Sequence, residues 1–307
     1  MKTARIPPDY NEYDEHMSMG PDFVAQCAQL AMLLELSSSP KPGNVDRCHD
    51  FSEIKFSDFL VSAVSAYPVF RQAAQNQARV GSLILQGVQA WGKWKLQSNT
   101  HFGSLVLMIP LACAAGAAAA WNPKDGADDL RCELARILRQ SSVDDAVDFY
   151  RAFFLAGARV ADVNEFSLKD PNSGLQLRRN GKTLLDLMKL SQGHDLIARE
   201  WSTNFERSFR LADRIKERIG ELGPNDGIVL TFLEALHQVP DSLICAKFGS
   251  EKAGQVSARA GEAMRDETLE AARTLDRELL AEDINPGSTA DLIAASLFIS
   301  LLKGLRF

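Results

Sequence analysis

The chain has 307 residues, 46% of them hydrophobic, a formal net charge of −6 and an isoelectric point near 5.5. That is enough apolar material for a large core, in one big domain or two small ones, and the acidic balance argues against duplex nucleic acid or an anionic membrane as partner. Five cysteines, odd in number and widely spaced with no C-x-x-C pair, read as reduced thiols of a cytosolic protein, not as a disulfide framework or zinc site.

Residues 1–20 are polar, acidic and Pro-containing, with no apolar core of the signal-peptide kind, and read as an N-terminal arm. Pro21 and Asp22 open an apolar-periodic run to Leu36, the composition of a helix start. SSSPKPGN (37–44) breaks it. Helical patterns follow at 56–78, 80–94, 100–121, 128–140 and 143–160. The stretch Leu105 to Trp121 is only as long as the shortest spanning helix; its alanines, Pro110 and Gly116 make it a buried core helix. KDPNSGLQLRRNGKT (169–183) reads as a polar surface loop with a turn at Asn180-Gly181. Helical patterns resume at 183–191, 195–221, 226–239, 250–258, 262–281 and 288–304, with ELGPNDG (221–227) as a stop followed by a new start. Strand patterns are almost absent. The expectation is an all-α, single multi-helix domain over 21–307, with its site between helices, placed in the cytoplasm.

Neither a P-loop nor a dinucleotide-binding glycine pattern occurs. Three breaks between helices carry the chemistry instead. PKPGNVDRCHDF (40–51) is a rigid turn followed by Asp46, His49 and Asp50. Carboxylates beside an imidazole can hold Mg²⁺, orient a hydroxyl or move a proton, although a turn with a capping Asp has the same composition. In SNTHFGS (98–104), Asn99 or Thr100 can cap the apolar helix that follows. Gly103 admits a close approach, His101 adds a donor, and the free N–H groups of a helix start suit phosphate. In INPGSTADLIAASLF (284–298), Gly287, Ser288 and Thr289 open the last helix, and Asp291 lies in its first turn, where the dipole favours it with no function required.

Taken together these segments resemble the triphosphoribosyl-dephospho-CoA synthase family. They match its P-K-P-G-x-V-D block with following His and Asp (Pro40–Asp46, His49, Asp50), its N-T-H-x-G block (Asn99–Gly103) and its C-terminal P-G-G-S-A-D-L block (Pro286–Leu292). PDSLICAKFG (240–249) is a weaker match, and the resemblance spans about residues 24–305. Three positions depart from the family pattern. His-x-Asp-Met is tightened to His49-Asp50-Phe51, Gly-Gly-Ser is replaced by Gly287-Ser288-Thr289, and Phe102 stands where a basic residue is common.

The resemblance implies transfer of the triphosphoribosyl group of ATP to the 2′-hydroxyl of 3′-dephospho-CoA, with release of adenine and with Mg²⁺. Such a glycosyl transfer has an oxocarbenium-like transition state. Under it, Lys41, Gly43, Asn99, Thr100, Gly103, Gly287, Ser288 and Thr289 hold phosphates. Asp46, Asp50 and Asp291 are metal ligands or the charge-stabilising carboxylate, and His49 or His101 carries the proton. Asp241 is a weaker candidate. Asp195 and Glu200 are set aside as a solvated helix face, Arg178 and Arg179 as loop arginines, the four tryptophans as packing residues, and His16 and His194 as isolated. Two other readings stay open: a relative acting on another acceptor, such as a tetrahydromethanopterin-type carrier, and a non-catalytic nucleotide-binding helical protein. The partners expected are small molecules, and a homodimer is left open.

Overall fold

The computed structural model describes residues 20–307 apart from 53, 97–98, 119–126, 159–172 and 267. Residues 1–19 of the expected N-terminal arm, His16 among them, Trp121 and the first four residues of the 169–183 segment lie outside the described residues. The described residues form thirteen helices and no sheet. They are α1 (Pro21–Ser37), α2 (Phe56–Ala74), α3 (Val80–Gly92), α4 (Phe102–Ala117), α5 (Ala127–Arg139), α6 (Val143–Ala156), α7 (Ser173–Asn180), α8 (Leu184–Ser191), α9 (Leu196–Ser202), α10 (Glu206–Gln238), α11 (Ser242–Ala263), α12 (Glu270–Ala281) and α13 (Gly287–Leu302). The all-α expectation holds.

Two helices form the centre. α4 and α13 are apolar on every side, so neither has a face to give to water, and nearly every residue of both is buried. They pack on each other; α1, α2, α3, α5 and α9 close around α4, and α1, α9, α10 and α11 around α13. Local signals set many outer boundaries. Ser142 and Thr183 each form a capping box with the Asp three residues on, and Gly157 ends α6 in the left-handed conformation. Among the described residues no single helix is long and apolar enough to cross a membrane.

Several boundaries differ from the sequence expectation. Residues 173–180 are helical, because Leu177 is fully buried in the seam between α7 and α6. The run 195–221 is split: Asn204 and Phe205 both take positive φ, so α9 ends and α10 begins there. The run 262–281 is also split, by a turn in which Asp266 accepts from Thr268 and Ala271 and Leu269 takes positive φ. The break expected at 221–227 is present as a kink at Gly223 (φ 80°, ψ 171°), and Gly249 makes a second one in α11.

Asp195 and Glu200 do not form a solvated face. Asp195 caps α9 through the N–H of Ala198 (2.8 Å), and the buried Glu200 accepts from the N–H (2.8 Å) and hydroxyl (2.6 Å) of Ser208. A run that ends after two turns buries a cap and a staple, not a charged stripe.

Candidate active site between the three breaks

The 40–51 segment is held on two sides. Asn225, just beyond the α10 kink, grips Ser39 through both its N–H (3.0 Å) and its carbonyl (2.9 Å) and accepts from Arg47 (2.7 Å). On the other side Gly43, at φ +74°, donates its N–H to Asp276 Oδ1 of α12 (2.8 Å), and Asn44 bonds Asn285 (2.9 Å). A Cβ at Gly43 would meet the Ile284 carbonyl oxygen at 2.3 Å, so only glycine permits this approach.

Below that loop lies a buried ion pair. The Lys41 ammonium is completely enclosed, bonded to the Glu35 carboxylate of α1 and to Asn44 Oδ1 (3.3 Å). Burial raises the Glu35 carboxyl above its ordinary range, and Lys41 opposes that rise. As placed, Lys41 neutralises Glu35 and does not project to a ligand.

Asp46, also enclosed, accepts from the N–H groups of Cys48 (2.7 Å) and Lys41 (3.4 Å). His49 Nε2 lies 2.8 Å from Asp276 Oδ2 and 3.6 Å from Asp46 Oδ2. The hydrogen bond to Asp276 raises the His49 pKa above its ordinary value. Asp46, His49 and Asp276 offer one ligand atom each, all within 4.8 Å of one another, and are the one such group among the described residues. Asp50 and Asp291 do not join it. The exposed Asp50 accepts from the N–H of Phe56 at the head of α2 (2.7 Å).

The two apolar central helices each begin against a carboxylate. At α4, Ser104 Oγ donates to Asp291 Oδ1 (2.6 Å), and a Cβ on Gly103 would lie 2.1 Å from Asp291 Oδ2. Asp291 lies deep in the protein yet keeps partial solvent contact. Burial pushes its carboxyl up to about 8, and the charges of Glu35 and Asp241 add to the rise. At α13, Asp241 takes the N–H and hydroxyl of Thr289, while Ser288 bonds Ser242 (2.8 Å). The donors expected to meet phosphate at Thr289 are therefore engaged within the protein, and the Ser288 hydroxyl accepts from Ser242. Asn99 accepts from the N–H of Phe102 (3.2 Å), and the N-cap position itself falls on His101.

His101 is buried, with Nδ1 against Ser62 Oγ (2.5 Å), and burial next to Lys41 lowers its pKa to about 3, so the imidazole is neutral. The parts thus meet around one centre: Glu35 and Lys41 lie between the Asp46–His49–Asp276 group and the Asp291–His101 end of α4. Sequence reasoning missed Glu35, Ser62, Ser104 and Asp276. Glu35 sits in an apolar run and Asp276 on a charged amphipathic helix, so neither carries a local signal. Arg178 pairs with Asp144 (2.7 Å), Trp201 packs in the core with its indole N–H on the Val106 carbonyl (3.1 Å), Trp91 is buried and Trp94 is exposed.

The family profile described as ATP:dephospho-CoA triphosphoribosyl transferase matches residues 21–306. A protein of Pseudomonas syringae pv. tomato, named as a probable 2-(5''-triphosphoribosyl)-3'-dephosphocoenzyme-A synthase, is 25% identical over 300 residues, 91% of each chain. A crystal structure whose description names a triphosphoribosyl-dephospho-CoA synthase from Archaeoglobus fulgidus superposes with a TM-score of 0.66. It is 28% identical and covers 80% of this chain and 100% of that one.

Proposed function

The chain belongs to the ATP:dephospho-CoA triphosphoribosyl transferase family, and from that premise we propose that it joins the ribose of ATP to the 2′-hydroxyl of 3′-dephospho-CoA and releases adenine. The observation that carries the reading is the meeting of three segments, spread over more than 200 residues of sequence, around the Glu35–Lys41 pair. The tetrahydromethanopterin-type acceptor and the silent nucleotide-binding protein have no comparable support.

The transfer develops positive charge at the anomeric carbon, which a fixed carboxylate stabilises. Asp291 supplies it. Ser104 and the start of α4 hold the carboxylate in place, and its partial solvent contact opens it to a ligand. Burial keeps it largely protonated near neutral pH, and a cationic partner shifts it to the charged form.

Magnesium fits the Asp46–Asp276 pair. Both are carboxylates, hard oxygen donors face each other there, and the one buried cation nearby, Lys41, is already committed to Glu35. When bound, the ion neutralises the charge of the triphosphate. His49, partly exposed and bonded to Asp276, orients that carboxylate and gives up its proton as the site fills. Asp50 keeps the loop joined to α2.

Incubation with ATP, Mg²⁺ and 3′-dephospho-CoA, followed by chromatography, tests the reading. Free adenine together with a triphosphate-bearing adduct is expected, and both should vanish in Asp291→Ala. ATP that binds without releasing adenine would overturn the assignment of acceptor.

A further inference from the structure

Ser62 of α2 sits under His101 and makes two contacts through one hydroxyl. It donates to the Phe59 carbonyl (3.1 Å) and lies 2.5 Å from His101 Nδ1. A carbonyl oxygen can only accept, so a hydroxyl hydrogen directed at Phe59, as in the 3.1 Å bond, is not available to the imidazole. The contact with the imidazole is then a bond only if Nδ1 carries the hydrogen and donates it. That leaves Nε2 with a bare lone pair.

Nε2 has no partner within the protein although the residue is buried, and neither has the neighbouring Thr100 hydroxyl. An unpaired acceptor in such a place is destabilising, and a ligand's donor removes that cost. The Phe59 ring meets the imidazole edge-on at 4.8 Å and is itself partly exposed, so a side chain, not backbone, lies against the ring.

We propose that Ser62 is a positioning residue that holds His101 as the Nδ1–H tautomer, so that Nε2 accepts a hydrogen bond from the hydroxyl of the acceptor substrate. This rests on the proposed transfer and names the group that receives the acceptor's proton. As the new C–O bond forms, the hydroxyl O–H bond breaks and its proton passes to Nε2, while its electron pair stays on the oxygen. The electron pair of the ribose–adenine bond leaves with the base, which takes one proton from water. A hydroxyl bonded to a cationic carbon is far more acidic than a free alcohol, so a weakly basic imidazole suffices. The same weak basicity returns the proton quickly.

The test is nitrogen NMR on the full-length protein labelled at its five histidines, with the His101 resonances identified by their loss in His101→Asn. The expected result is the Nδ1–H tautomer in the free protein and a shift of the Nε2 resonance on saturation with 3′-dephospho-CoA. Ser62→Ala, checked for folding by circular dichroism, should mix the tautomers and lower kcat by roughly tenfold or more while KM for ATP changes by less than about twofold. Ser62→Thr should restore both. An Nε2–H tautomer in the wild type, an unmoved Nε2 resonance, or full kcat in Ser62→Ala would each overturn the proposal. The two readings fail separately. An Nδ1–H tautomer in a protein that releases no adenine removes the reaction and keeps the tautomer, whereas an Nε2–H tautomer with normal turnover does the reverse.

Discussion

The carboxylate of Asp241 receives both polar hydrogens of Thr289, the backbone N–H at 2.7 Å and the hydroxyl at 2.8 Å, while its other oxygen caps α11 through Leu243 (2.8 Å) and Ile244 (3.2 Å). One buried side chain thus ties the starts of two helices. Asp241→Ala strands four donors and should lower the unfolding free energy by about 3 kcal/mol or more, read from urea denaturation. Asp241→Asn keeps the shape but lacks the charge and should fall between.

The Glu35–Lys41 pair makes a different stability prediction. Breaking a buried pair leaves one uncompensated charge, so Lys41→Met alone should cost about 3–5 kcal/mol. Removing both charges, as Glu35→Gln with Lys41→Met, should recover much of that loss. A double-mutant cycle by chemical denaturation gives the coupling, and strict additivity would mean that the two side chains do not interact.

Asp291 titrates near 8 in the folded protein, above its unfolded value of 3.8. The folded state therefore holds this proton over a pH range in which the unfolded chain has lost it. The resulting stability is fully present below about 4 and lost as pH rises toward 8. Relative to Asp291→Asn, the wild type should weaken steadily over that interval, by a few kcal/mol in total, in denaturation curves taken across pH. Gly103→Ala places a methyl 2.1 Å from the same carboxylate and should move it, lowering adenine release by more than about tenfold with the fold retained.

His49 titrates above its ordinary value because Asp276 accepts from it. For a base raised in this way the stabilisation is present below the unfolded value and fades as pH rises through the folded one. In the proposed function, magnesium at Asp46 and Asp276 would compete with that proton, so its affinity should rise with pH over the same range. Calorimetry in buffers of different ionisation heat should detect proton release on binding, and His49→Gln should flatten both trends.

The helices and their all-α arrangement were legible because their signals are local. α4 and α13 are apolar on every side, Ser142 and Thr183 stand three residues before an acid, and the Pro/Gly breaks fall between runs. The three motif segments were legible for the same reason. Runs with a continuous helical period, 195–221 and 262–281, hid the positive-φ residues Phe205 and Leu269, which only packing forces on a non-glycine backbone.

Partnership was left to the tertiary structure. Ser104 meets Asp291 across 187 positions, and His49 meets Asp276 across 227. A helix start advertises its free N–H groups in sequence, but whether a phosphate or an internal carboxylate fills them depends on which side chain the fold delivers. At α13 Asp241 takes the Thr289 donors, and at α4 Asp291 takes that of Ser104. The residue types that could perform the chemistry follow from the sequence; which of them face one another, and in which charge state, follows from burial and from distances that only the packed chain defines.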